Sequence, residues 1–161
     1  MGGLDGLSVW AEDDLRRRLL WYRQVSANRM PAKFRIAGHI PVEVPLVEAP
    51  EETLWEELEA KTAIFLNLWD RIRCGMDELP ACPGPQPNLV GLCRELSIRM
   101  LSHCNFCRWN CRVDRQNGMK FGTCKLAEDS RVSSYFHHPG EELIYRGRLG
   151  SGTIFFTSCN M

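Results

Sequence analysis

The amino-acid sequence predicts an α+β chain, mainly helical at first, with an irregular four-cysteine module and a strand near its end. Three observations predict this. Leu54, Leu58, Phe65, Leu68, Trp69 and Ile72 follow Pro50-Glu51-Glu52 as a broad apolar stripe, the pattern of one helix face. HCNFCRWNCRVDRQNGMKFGTCK spaces four thiols as Cys-x2-Cys-x3-Cys-x12-Cys. GSGTIFFTSC sets glycines ahead of a β-branched and aromatic run, the composition of a strand.

The first helix is expected from Asp13 to about Asn28, where Leu15, Leu19, Tyr22 and Val25 recur at helical spacing and Pro31 blocks continuation. Its Arg16-Arg17-Arg18 triplet reads as a solvated face. From Pro31 to Pro50 the prolines and the alternation of Val42, Val44 and Leu46 imply extended, irregular chain, a short strand near 40–46 and little room for a helix. The helix opened by Pro50 has proline and acidic residues in its first turn and Gly75 as a stop. Pro80, Pro83, Pro85 and Pro87 mark a linker or wrapping loop. Asn88 is placed to cap a third helix with Leu89, Leu92, Cys93, Leu96 and Met100 on its apolar face, leading directly into Cys104. A last hairpin is expected over 143–157, Leu143 to Tyr145 facing the final strand across a Gly147 to Gly152 turn. The organisation is therefore 1–87, a helical region with its proline-rich linker; 88–130, a helix and the four-cysteine module; and 131–161, the hairpin region.

At 161 residues the chain is long enough for a core. Lysine plus arginine equals aspartate plus glutamate at 20 each, so no general attraction to nucleic acid or an anionic surface is expected, and the partner is a protein or a small molecule. The start has no basic, apolar and cleavage-site succession, so secretion is not expected. No apolar run approaches the roughly 20 residues of a membrane span. These features point to the cytoplasm, where thiols stay reduced. Cys74, Cys82 and Cys93 are isolated and read as small buried hydrophobes.

Cys104, Cys107, Cys111 and Cys124 are read as ligands. Two residues between the first pair allow both thiolates to approach one centre from a tight turn, and four thiolates suit either tetrahedral zinc or a four-iron, four-sulfur cluster. Gly118 and Gly122 give the intervening loop freedom. A nucleic-acid-binding zinc knuckle has comparable spacing, with Arg108, Arg112, Arg115 and Lys120 making the segment locally basic, but the neutral chain argues against it.

The cysteine cluster followed by VSSYFHHPGEELIYRGRLGSGTIFFTSCNM resembles the radical S-adenosylmethionine proteins described as similar to pyruvate formate-lyase activating enzyme. His138, Gly140, Glu141 and Glu142, then Gly150, Gly152, Thr153, Ile154, Phe155 and Phe156, then Cys159 and Asn160 carry the likeness, which is strong over 104–161 and weaker before. The resemblance implies that the last strand is the first of a partial (β/α) barrel. Cys159 would be the first of three cysteines spaced Cys-x3-Cys-x2-Cys that hold a 4Fe-4S cluster, whose free iron binds S-adenosylmethionine for reductive cleavage by an electron donor. The four upstream cysteines would hold zinc or a second iron-sulfur cluster. Cys159 is the only member of that trio in the sequence, so the expectation is an amino-terminal part of such an enzyme, not catalytic alone, with an unassigned protein or small-molecule substrate. His137 and His138 are read as loop residues and Glu141 and Glu142 as solvated or barrel-rim residues. The competing reading is a stand-alone four-cysteine zinc-binding interaction module.

Overall fold

The structure is a computed structural model and describes residues 8–118, 120–146 and 150–158. A short 3-10 turn, Ser8–Ala11, precedes α1 (Asp13–Arg18), α2 (Leu20–Ser26), α3 (Lys33–Ala37), α4 (Glu51–Arg73) and α5 (Leu89–Met100). After another 3-10 turn, Leu101–His103, come the cysteine loops, β1 (Val132–His138), α6 (Leu143–Arg146) and β2 (Ser151–Phe156). Helix and a two-stranded antiparallel sheet together make an α+β chain.

The first expected helix is split at Leu19, which takes φ −104° and ψ 16°. Neither α1 nor α2 has a buried residue, so no packed face holds them in one straight helix. The end is as expected: Asn28 turns left-handed at φ 54°. A short helix, α3, occupies part of the segment expected to be extended; Pro31 stands ahead of it, and Ile36 buries completely. The expected strand at 40–46 is reduced to one bridge, Pro41 to Asn88. Val42 donates to the Pro87 carbonyl at 3.1 Å and Leu89 to the Ile40 carbonyl at 3.0 Å, but Pro41, Pro45 and Pro87 lack the N–H groups that would extend a ladder.

The long helix α4 ends as a Schellman motif. Gly75, at φ 73°, donates to Ile72, and Met76 donates to Arg71. Asn88 caps α5 by accepting from the Gly91 amide at 3.1 Å while its own amide donates to the Pro85 carbonyl at 2.9 Å. The core lies between these helices and the 40–49 segment: Ile40, Val42, Ala49, Leu54, Leu89, Leu92 and Leu96 are buried together. Leu58, Phe65 and Leu68 pack against its edge. Arg99 clamps the segment to α5, donating to the carbonyls of Ala49, Leu46 and Val47 at 2.7, 2.8 and 3.0 Å and pairing with Glu95.

The carboxy-terminal hairpin differs from expectation. The partner of β2 is β1, with Tyr135 opposite Ile154 and His138 opposite Ser151, while Leu143–Arg146 is a helical turn closed by Tyr145 donating to Glu142. Val132, Tyr135 and Phe136 give β1 the residues a pleated surface favours. Both strands are largely exposed, Tyr135 at 80% and Ile154 at 61%. Cys74, Cys82 and Cys93, expected inside, are also exposed: the first terminates α4, the second lies in the proline-rich loop, and the third sits on α5 outside the Leu89, Leu92, Leu96 face. No helix among the described residues is long and apolar enough to cross a membrane.

Candidate metal centre

The cysteine module starts where α5 ends. Its packed face carries the chain through the Leu101–His103 turn to Cys104, which is itself 2% exposed. His103 lies 3.4 Å from Glu51 at the start of α4, tying the turn to the helical core. Arg115 N donates to the Leu101 carbonyl at 2.8 Å, so the middle of the module is stitched to the same turn.

Backbone bonds then fold the loops over one another. Cys104 N donates to Val113 at 3.0 Å and Arg112 N to Cys104 at 2.9 Å, and Asn110 N closes a tight turn onto the Cys107 carbonyl. The backbone of Cys104 is thereby joined to Arg112 and Val113, the residues that follow Cys111. Asn110, Arg112 and Lys125, which flank Cys111 and Cys124, have φ of 42°, 53° and 56°. Such left-handed conformations cost non-glycine residues roughly 1–2 kcal/mol each, and here they accompany the reversals that turn Cys111 and Cys124 inward. Asp114 organises the following loop, its Oδ1 accepting from the amides of Gln116 and Asn117, both at 2.9 Å. A side chain on Gly118 would collide with the Asp114 carbonyl, so glycine is required there by space.

All four cysteines, Cys104, Cys107, Cys111 and Cys124, line one cavity of about 360 Å³. Among the described residues no three metal-binding side chains converge on a single point as they stand; the guanidinium of Arg115 also lines this cavity. Its Nη2 donates to the Cys124 sulfur at 3.2 Å, and its Nη1 donates to the Leu126 carbonyl. Burial of Arg115 opposes its charge, but the facing Cys104 and Cys124 thiols raise its pKa above the usual value.

The sulfurs are polarised by their neighbours. The hydroxyl and amide of Thr123, both 3.4 Å from the Cys111 sulfur, hold that thiol below its ordinary range. Burial pushes the Cys124 thiol up, yet the Leu126 amide and the Arg115 guanidinium outweigh it and the net direction is down. Four thiols on one cavity, two of them biased toward thiolate, make a donor set suited to zinc or an iron-sulfur cluster, which require deprotonated sulfur.

Arg115 and Thr123 were not separable from their neighbours in the sequence; Arg115 was one basic residue among several, and no spacing rule marks either. His137, His138, Glu141 and Glu142 do not line this cavity. His138 Nδ1 sits 3.5 Å from Glu141. A contact with Glu142, aided by His138, holds the Glu141 carboxyl below its usual range. His137 and His138, expected in a loop, instead end β1, paired with Gly152 and Ser151. Cys159 lies outside the described residues, but Phe156 and Thr157, just ahead of it in sequence, line the cysteine cavity.

Comparison with protein-family models, with curated proteins and with solved structures gives no match.

Proposed function

We propose that this chain is the amino-terminal part of a radical S-adenosylmethionine iron-sulfur enzyme similar to pyruvate formate-lyase activating enzyme, with an upstream metal or cluster site at Cys104, Cys107, Cys111 and Cys124. The observation that carries the reading is the gathering of those four thiols on one cavity whose wall also includes Phe156 and Thr157. A family in which a four-cysteine module precedes a strand and a cluster-binding loop calls for that neighbourhood. The exposed apolar residues of β1 and β2 add support, because a barrel strand needs further strands to cover it.

In this reading Cys159 contributes the first thiolate of the catalytic cluster, and two more cysteines complete it. When bound, that cluster with S-adenosylmethionine supplies one-electron reductive cleavage; the protein supplies ligands and position. The residues of the upstream site do the binding work: Thr123 and Arg115 bias Cys111 and Cys124 toward the ligating form, and the Cys104–Val113 and Arg112–Cys104 bonds fix the spacing of the first and third ligands. The cytoplasm, an electron donor and a protein or small-molecule substrate belong to the same proposal.

The test is to read the DNA immediately downstream of the Met161 codon in every frame. Two cysteine codons completing Cys159-x3-Cys-x2-Cys support the enzyme, and a stop with no such sequence in any frame overturns it. A second reading, a zinc-binding interaction module, is favoured by Phe106, Trp109 and Phe121, which are exposed in the module itself. Oxygen-free purification followed by zinc, iron and sulfide analysis determines the upstream metal: a colourless one-zinc protein suits the module, and a brown protein with matching iron and sulfide contradicts it.

A further inference from the structure

We propose that Arg115 is a positioning residue of the four-cysteine centre, donating from outside the ligand shell to the Cys124 sulfur while bracing the loop that carries that ligand. The inference rests on the four-cysteine reading above. Its geometric basis is a fork. One arm of the guanidinium reaches the Cys124 sulfur at 3.2 Å, and the other reaches the carbonyl of Leu126, two residues further along the same loop. Only a planar group with donors on separate nitrogens spans a ligand and its own loop in this way.

The surroundings leave room for that fork. A Cβ on Gly122 would stand 2.6 Å from Nη2 and 3.5 Å from the Cys111 sulfur, so the absence of a side chain at 122 is what admits the guanidinium between the third and fourth ligands. The Arg115 amide is fixed to the Leu101 carbonyl at 2.8 Å, which anchors its backbone to the end of the helical core. A metal held by four thiolates leaves an excess of negative charge, and a cation hydrogen-bonded to sulfur offsets part of it; outer donors of this kind orient ligands and tune the centre.

The experiment uses the full chain, stripped of metal under reducing, oxygen-free conditions and titrated with Co²⁺ and with Zn²⁺ against a chromogenic chelator. The wild-type protein is compared with Arg115→Gln and Arg115→Lys. The expected result is one Co²⁺ per chain with a sulfur-to-metal charge-transfer band, Zn²⁺ affinity lowered about 10- to 100-fold in Arg115→Gln, and the band moved to lower energy because sulfur has lost a donor. Arg115→Lys recovers part of both, since it keeps the charge but not the fork. Unchanged affinity and band in Arg115→Gln overturn the inference while leaving the site intact. Weakened affinity with an unmoved band in both variants also overturns it, showing a loop brace without donation to sulfur. A wild-type protein that takes up neither ion removes the four-cysteine reading and the inference together. Helical circular dichroism separates these outcomes from global unfolding, because α4 and α5 have their own core.

Discussion

Gly122 and Arg115 are matched in space: a methyl group on the first would stand 2.6 Å from Nη2 of the second. The contact falls on the end of a flexible side chain, so Gly122→Ala should expel the guanidinium without breaking the backbone. The expected consequence is loss of the bond to Cys124 and a Zn²⁺ affinity about tenfold weaker, with helix content unchanged. Chelator competition on the purified variant measures it, and an affinity equal to wild type would show that the guanidinium is accommodated elsewhere.

Arg99 should dominate the stability of the helical region. It gathers three backbone carbonyls from 46–49, and its side chain is only 20% exposed. Hydrogen bonds to a charged group contribute about 1.5–3 kcal/mol, and stranding their acceptors adds to the loss. Arg99→Met is therefore expected to lower unfolding free energy by about 2–4 kcal/mol, seen as a reduced urea midpoint by circular dichroism. Arg73→Met, which removes an exposed pair with Asp70 at 2.6 Å, should cost less than about 1 kcal/mol.

Asp114 carries a pH dependence of known sign. The amides of Asn117 and Gln116 hold its carboxyl below the ordinary 3.8, against a smaller opposing effect of burial. A depressed folded value means the carboxylate's contribution is fully present above the unfolded value and disappears as pH falls through the folded one. In metal-free protein, protection of the Gln116 and Asn117 amides against exchange, relative to their intrinsic rates, should fall as pH drops through that depressed value, below the ordinary 3.8. In Asp114→Ala exchange should already be fast at neutral pH and gain no such acid step; an identical step in both proteins would assign it to another group.

The elements legible in sequence were those set by local chemistry. Gly75 and Asn88 define helix ends through conformation and capping, each within a few residues of chain, and both work as their positions imply. The α4 and α5 stripes were equally plain, because burial repeats with the helix period. What could not be read depends on contacts distant in sequence. Nothing local distinguishes Leu143–Tyr145 from Val132–His138 as the partner of β2, since both runs carry strand-forming residues and only pairing decides. The 40–46 alternation suggested a strand, but Pro41, in the bridge to Asn88, and Pro87 beside it lack the N–H groups that would carry pairing past one rung. At the candidate centre, the cysteine spacing was visible in the sequence, whereas the donors to sulfur were not: Arg115 and Thr123 matter through orientation, and adjacent arginines look alike on paper.

The four cysteines should organise their own segment and leave the helical core nearly untouched. Cys104 is buried at the end of α5, and the bonds from Cys104 to Val113 and from Arg112 to Cys104 are what join its loop to that of Cys111. In modules whose ligands are assembled by folding, binding free energy is folding free energy. Replacing Cys104 and Cys107 together by serine is expected to abolish stoichiometric Zn²⁺ binding and to expose 104–130 to limited proteolysis. Residues 33–100, with Leu54, Leu92 and Leu96 buried and Arg99 in place, should retain a cooperative thermal melt within a few degrees of wild type. Chelating the wild-type protein should produce the same proteolytic pattern. If the double variant is cut no faster than the metal-loaded protein, the module folds by its backbone bonds alone and the thiols serve something other than structure.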